Sequence, residues 1–387
     1  DTTSKEELLD RIRRYAADKD PEEWINGFHF KEIKWEKPEI PTRQDLDELD
    51  IPNPIHLARI CGHLHVANTR AMEFAGINRP AGFNGIFYEE EADRIVKLME
   101  ENLYSPESIV DVLRDASDEF ARYGITSIHA CGAASYGLGE DYWAIQTLIN
   151  RGCFPLRVTF YDENFPAMPI MSGFGDDMLR YGGLKIFLDG AMGARSAALT
   201  EPYSDDPGNR GIMNHSLEEV VQMLKEARRR RLQVQVHAIG DAAIDQFIRA
   251  ASAVEDDGNN PFGYPIRLNH VQLCRPDQVP DLVRLGVPCD IQLGQLPSDI
   301  PMIIPRLGEK RKHYGYLGKT LLDNGFIVSG SSDAGCEILN PWRGIWASVN
   351  RVDDSGYPEG GWKPEEKMTL PQALQTYTEN PPLVVGM

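Results

Sequence analysis

Residues 184–189 read Leu184-Lys185-Ile186-Phe187-Leu188-Asp189, and residues 232–237 read Leu232-Gln233-Val234-Gln235-Val236-His237. Both stretches alternate. In the first, Leu184, Ile186 and Leu188 share one face, and Lys185, Phe187 and Asp189 share the other. In the second, Val234 and Val236 oppose Gln233, Gln235 and His237. A period of two is that of a β-strand, whose successive side chains point to opposite faces. An aliphatic face suits packing under helices, which turns Lys185 and His237 toward the inside of a barrel. An isolated buried ammonium is costly, so Lys185 there must be neutral, paired or chemically altered.

Five further β-rich runs flank these two: Gly124 to His129, Pro155 to Tyr161, Ile266 to Val271, Val287 to Leu293 and Phe326 to Asp333. Helical patterns lie between them. One opens at the Ser216/Glu219 capping box, carries Val220, Val221, Leu224 and Ala227 on one face, and ends in Arg228 to Arg231. Cations at a helix C-terminus face its dipole, so this basic run reads as surface rather than as a ligand site. Strands alternating with helices imply an α/β chain with a parallel sheet. Seven strands point to a (β/α)8 TIM barrel lacking its first strand. A doubly wound open sheet is the competing architecture, but no G-x-G-x-x-G or P-loop follows any strand. Residues 1–105 read as an N-terminal helix, capped at Ser4, and an inserted small subdomain punctuated by Pro38, Pro41, Pro52, Pro54 and Pro80. Residues 106–387 carry barrel strands 2–8.

The chain has 387 residues, 40 Lys plus Arg against 59 Asp plus Glu, and a formal charge of −19. Such a surface is repelled by phosphate backbones and anionic lipid, so neither nucleic acid nor a membrane is an expected partner. No apolar run is long enough to span a bilayer. The six cysteines are scattered without a C-x-x-C pair, which reads as reduced thiols and a cytoplasmic location.

Barrel enzymes keep their chemistry at the C-terminal ends of the strands. There stand Lys185, His237, His270 and Asp333. Each has a plain structural explanation alone: a hydrogen-bonded rim histidine, a helix-capping aspartate, a lysine paired with Asp189. Together, on four strands of one barrel, they form a hard-to-borderline metal site.

The same residues carry a resemblance. The order Lys185, His237, His270, Asp333 resembles the metal-dependent amidohydrolase superfamily. The local motifs are similar to its YtcJ-like and AepA-like (exoenzyme-regulatory) branch, which includes N-substituted formamide deformylases. These motifs are Gly62-His63 with Val66-Ala67-Asn68, Gly124 to His129, Leu184 to Gly190, Val236 to Asp241, Asn269 to Leu273 and Gly330 to Asp333. The resemblance runs nearly end to end. It implies a divalent metal (zinc first, with Fe, Mn or Ni sharing such ligands), held by Lys185 as a carboxylated lysine, His237, His270 and Asp333. It also implies Asp333 as general base. The implied activity is hydrolysis of an amide-type C–N bond in a small-molecule substrate. Two other readings stand beside it: a non-catalytic binding or regulatory protein that keeps the fold, and a hydrolase of C–O or P–O bonds on the same site.

Departures from the family pattern set further expectations. The His-x-His of strand 1 belongs ahead of Asp1; His63-Leu64-His65 imitates its spacing, but only His63 matches the subdomain motif. The flanking β-sandwich is absent after Met387, and Ala130 stands where relatives often carry an acid. The chain therefore reads as an inactive fragment of a longer enzyme, with metal weakly bound or missing. Its exposed strand edges predict a homodimer, or a segment of residues 20–100 folded against them. For the substrate, Arg195 is a candidate grip on a carboxylate or carbonyl, and His63 joins it through the family motif. His129 reads either as a packed barrel residue or as a donor behind the site.

Overall fold

The computed structural model describes residues 2–92, 94–98, 106–131, 140–254 and 258–387. The chain divides into two compact units, residues 1–109 and 110–387. The division falls inside the helix Pro106–Arg122.

In the first unit, Ser4 caps the helix Lys5–Ala16 by accepting the Glu7 amide at 3.0 Å, and Leu8, Ile12 and Ala16 form its buried stripe. The punctuated stretch after it is a four-stranded sheet: β1 (Ile25–Phe30), β2 (Ile55–Arg59), β3 (Leu64–Ala67) and β4 (Ile86–Tyr88), paired in that order. β1 and β2 run parallel, while β2–β3 and β3–β4 are antiparallel. β1 does not alternate in burial, β2 and β3 are buried throughout and β4 has three residues, so none shows a period of two in sequence. His63-Leu64-His65 is thus the turn and start of β3, a strand of this sheet.

The second unit holds seven strands: β5 (Ser127–Cys131), β6 (Arg157–Asp162), β7 (Leu179–Phe187), β8 (Gln233–Ala238), β9 (Ile266–His270), β10 (Cys289–Ile291) and β11 (Val328–Gly330). All neighbours are parallel and lie in sequence order, with β5 and β11 at the edges among the described residues. The sheet is curled. Cys131 on β5 donates its thiol to Gln235 on β8 at 2.6 Å, and Arg267 on β9 reaches His129 on β5 at 3.2 Å. Strands three and four places apart in a flat sheet would stand roughly 14–19 Å from each other at about 4.8 Å per strand. Only side chains on a concave face can close that gap. The second unit is a curled parallel sheet with the strand order of a TIM-barrel-like fold, seen as a half-barrel.

The alternation read from the sequence holds. Leu184, Ile186, Val234 and Val236 are all buried on the outer face, and the helix Leu217–Arg229 contributes Val220, Leu224 and Ala227 to the core. Fully burying side chains of the Val/Leu size contributes about 1.5–3 kcal/mol each. β7 begins five residues earlier than its alternation suggests. A register shift between Phe160 and Tyr161 is absorbed there, with Gly183 at φ 146° and so close to β8 that a Cβ would lie 2.0 Å from the Gln233 carbonyl. Only glycine fits. No helix among the described residues is long and apolar enough to cross a membrane.

Candidate active site

Register decides which side chains enter the concave face. Lys185 pairs with Gln235, Phe187 with His237 and His237 with Asn269; Asn269 in turn pairs with Asp290. Paired residues of a parallel sheet share a face, so these form two neighbouring rows, one through Lys185 and one through His237, on one interior face. Lys185 is 4% exposed, with its Nζ 4.7 Å from the centre of the Phe187 ring. The Phe187 ring centre lies 5.3 Å from that of His237.

His237 is held from behind by Asp189. Its Nε2 lies 3.3 Å from Asp189 Oδ1 and 3.2 Å from the Gly190 carbonyl. Asp189 is fully buried and also accepts the amides of Ile239 (3.0 Å), Gly240 (2.8 Å) and Ala198 (2.9 Å). One carboxylate therefore ties the loop after β7 to the loop after β8 and sets the angle of the imidazole between them. The pairing of Lys185 with Asp189 considered from sequence gives way to this arrangement, because Asp189 stands past the strand end and turns toward the backbone amides.

His270 closes β9 in a left-handed conformation, φ 74°, followed by Val271 at φ 50°. Its ring meets that of His237 edge to face, with centroids 4.4 Å apart. Asp333, also left-handed at φ 55°, follows β11 and accepts from Gln295 Nε2 at 3.1 Å. Gln295 and His270 line the same narrow crevice, with Gln272, Gln292 and Tyr316. The structure thus carries Lys185, His237 and His270 on the adjacent strands β7, β8 and β9, and binds Asp333 to Gln295, which lines the crevice that His270 also lines.

Two imidazoles in contact suit a divalent ion by donor chemistry. The fit is partial: among the described residues no group of three His, Cys, Asp or Glu side chains converges to hold an ion.

The substrate candidates lie as follows. Arg195, at φ 58°, makes a two-pronged pair with Asp205 at 3.0 and 3.1 Å, and Arg306 binds the same carboxylate. That pair, with Tyr203 Oη donating to the Ala197 carbonyl at 2.8 Å, orders the long loop after β7. His63 stands in the first unit, with Nδ1 2.9 Å from Glu89 Oε2. His65 sits beside it, with Nδ1 2.9 Å from Nε2 of the buried His56. His129 lies on the interior face of the second unit, against Arg267.

A buried polar network beneath the site escaped the sequence reading. Arg267, 1% exposed, binds Asp290 through Nε (3.1 Å) and Nη2 (2.5 Å), and Tyr161 Oη through Nη1 (3.0 Å). The signal was available, since Arg267 and Asp290 interrupt apolar runs on the inward parity that Lys185 and Gln235 define.

The model of a family described as the amidohydrolase family matches residues 1–387. A putative amidohydrolase, YtcJ, of Bacillus subtilis is 29% identical over 97% of this chain and 73% of its own length. An N-substituted formamide deformylase of Arthrobacter pascens is 24% identical over 97% of this chain and 72% of its own. Among solved structures, an uncharacterized metal-dependent hydrolase from Pyrococcus horikoshii superposes with a TM-score of 0.75. It is 26% identical and covers 99% of this chain and 76% of its own.

Proposed function

Because this chain belongs to the amidohydrolase family, we propose that it serves the hydrolysis of an amide-type C–N bond in a small molecule, at the strand ends carrying Lys185, His237, His270 and Asp333. In general terms it is a metal-dependent hydrolase. The observation that carries the finer reading is the contact of His237 with His270, backed by Asp189 and beside the buried amine of Lys185. His237 and His270 would hold a divalent ion, zinc first. Lys185 would join them once carboxylated, since carbon dioxide turns a costly buried amine into an anionic oxygen donor. The ion supplies Lewis acidity that lowers the pKa of water.

The chain's own groups do the rest. Asp189 keeps the His237 ring at a fixed angle, as a carboxylate behind a ligating histidine does. Asp333 accepts a proton from the attacking water and returns it to the leaving nitrogen. The amide substrate class is favoured by the similarity to a protein named as an N-substituted formamide deformylase.

The test is turnover of a panel of N-substituted formamides and N-acyl amines by protein stripped with a chelator and reloaded with zinc. Turnover that disappears on stripping and returns on reloading supports the reading. Activity indifferent to both, or confined to carboxylic and phosphate esters, overturns it.

A further inference from the structure

We infer that His129 is a substrate-facing hydrogen-bond donor, locked as the neutral Nε2–H tautomer by a chain of bonds through Arg267, and that it takes the carbonyl oxygen of the substrate. This rests on the reading of the site as one for amide-type compounds. It adds a contact and a tautomer to that reading.

Donors and acceptors run in one direction along this chain of bonds. Gln233 Nε2 donates to two backbone carbonyls, Tyr264 at 2.7 Å and Val384 at 2.9 Å. Its Oε1 is therefore the end that faces Tyr161, and it accepts the Tyr161 hydroxyl proton at 2.5 Å. With its proton committed, Tyr161 Oη can only accept from Arg267 Nη1 at 3.0 Å. A guanidinium has donors and no acceptor. Arg267 Nη2 gives one N–H to Asp290 Oδ1, and its other reaches His129 Nδ1 at 3.2 Å. His129 Nδ1 must accept, so the ring proton sits on Nε2. Burial, reinforced by the positive charge of Arg267, holds the His129 imidazolium well below its usual range and keeps the ring neutral.

Placement gives this donor its use. Arg267 is in register with Gln235, and Gln235 with Lys185, so the guanidinium that touches His129 belongs to the row of the buried lysine. Cys131, two residues after His129 on the same strand, reaches across to Gln235. His129 is only partly buried, and no described residue takes its Nε2 proton. A fixed N–H donor beside a hydrolytic site is the device that polarises a carbonyl and stabilises the charge developing on its oxygen. Arg267 acts through His129 and is a positioning residue.

Two isosteric variants separate the nitrogens. His129→Asn places an amide oxygen near Nδ1, keeps the bond from Arg267 and lacks the distal N–H; His129→Gln places an amide N–H near Nε2. Selective 15N-histidine NMR of the full chain should show, beside the buried rings of the first unit, a ring that stays the neutral Nε2–H tautomer throughout pH 5.5–8.5 and is assigned to His129 by its absence in His129→Asn. Titration with N-methylformamide as probe should shift that Nε2–H resonance. On a turned-over amide, His129→Asn should lose about 10²–10³-fold in kcat/KM, the scale of one lost oxyanion donor, while His129→Gln recovers most of it. An Nδ1–H tautomer, titration near pH 6.5, or no response to N-methylformamide overturns the inference even if amides are hydrolysed. Equal activity of both variants with wild type overturns it too. If no amide is turned over, the hydrolase reading fails alone, and the tautomer and the N-methylformamide shift still decide for or against the donor.

Discussion

His237 and His270 touch edge to face at 4.4 Å although strand register does not pair them: His237 lies beside Asn269, and His270 lies beside Ala238 on the opposite parity. The contact exists because the backbone turns left-handed at His270 and Val271, swinging the ring over the end of β8. Positive φ in a non-glycine residue is uncommon and costs of order 1–3 kcal/mol, a strain that clusters at functional sites. Asp333 shows the same feature at the end of β11.

His270→Gly tests whether that backbone is held for the ring. Glycine adopts φ 74° without penalty, so the chain should fold at least as readily by thermal unfolding, while zinc binding weakens strongly. Retained zinc affinity in His270→Gly would remove His270 from the donor set.

Asp189→Asn should damage both structure and site. The one amide oxygen can keep the Gly240 and Ala198 amides, but the NH2 then meets the Ile239 amide donor to donor and the charge facing His237 is lost; a carboxylate behind a metal-ligating histidine is worth about 10–100-fold in metal affinity. Asp189→Ala goes further and leaves the amides of Ala198, Ile239 and Gly240 unpartnered, each costing about 1–3 kcal/mol. Competition with a zinc chelator measures the first effect and urea unfolding the second. An Asn variant with undiminished zinc affinity would make Asp189 a purely structural tie.

Asp333→Asn preserves shape and the bond from Gln295 yet cannot accept a proton. Turnover should fall by about 10²–10⁴-fold, the usual range for a general base, with metal content unchanged. Turnover close to wild type would move the base elsewhere.

How much of this was legible beforehand depends on periodicity. β7 and β8 announced themselves because strict alternation over six residues has no other common cause, and the inward direction of Lys185 and His237 followed. His270 was harder: its parity is wrong for the interior, and only a backbone torsion, invisible in composition, corrects it. The Arg267–Asp290 pair does not stand at strand ends, where the chemistry of a barrel is expected: Arg267 lies three residues before the end of β9 and Asp290 one before the end of β10. The sheet of the first unit was illegible because β1 does not alternate, β2 and β3 are buried throughout, and three-residue β4 cannot display a period. Arg195 looked like a substrate grip, and the sequence offered no sign that Asp205, ten residues on, takes both its prongs.

Gly240→Ala should fail for a steric reason that composition also hides. Its Cβ would stand 1.9 Å from the Ala198 carbonyl oxygen, backbone against backbone, at the point where Asp189 clamps the two loops together. The loops must part, so a loss of several kcal/mol is expected, with His237 released from its seat. Differential scanning calorimetry and zinc binding should fall together. A stable variant with intact binding would show that the clamp has slack.

The first unit carries its own pH dependence. His65 Nε2 donates to the Gly62 carbonyl at 2.9 Å, which leaves His65 Nδ1 to accept from His56 Nε2–H at 2.9 Å. Burial, with the neighbouring His65 adding to it, pushes the fully buried His56 down to about 3. An unfolded histidine titrates near about 6.5. Between these values the unfolded chain binds the proton and the folded one does not, so stability is complete above about pH 6.5 and falls as pH drops toward 3, by at most about 1.4 kcal/mol per pH unit for the one imidazole. Amide exchange in β2 and β3 of the intact chain, compared between pH 5 and 8 for wild type and His56→Phe, isolates the effect. The wild type should lose protection on acidification more steeply than the variant, whatever their difference at pH 8. Parallel losses would assign the acid sensitivity of this sheet to other groups.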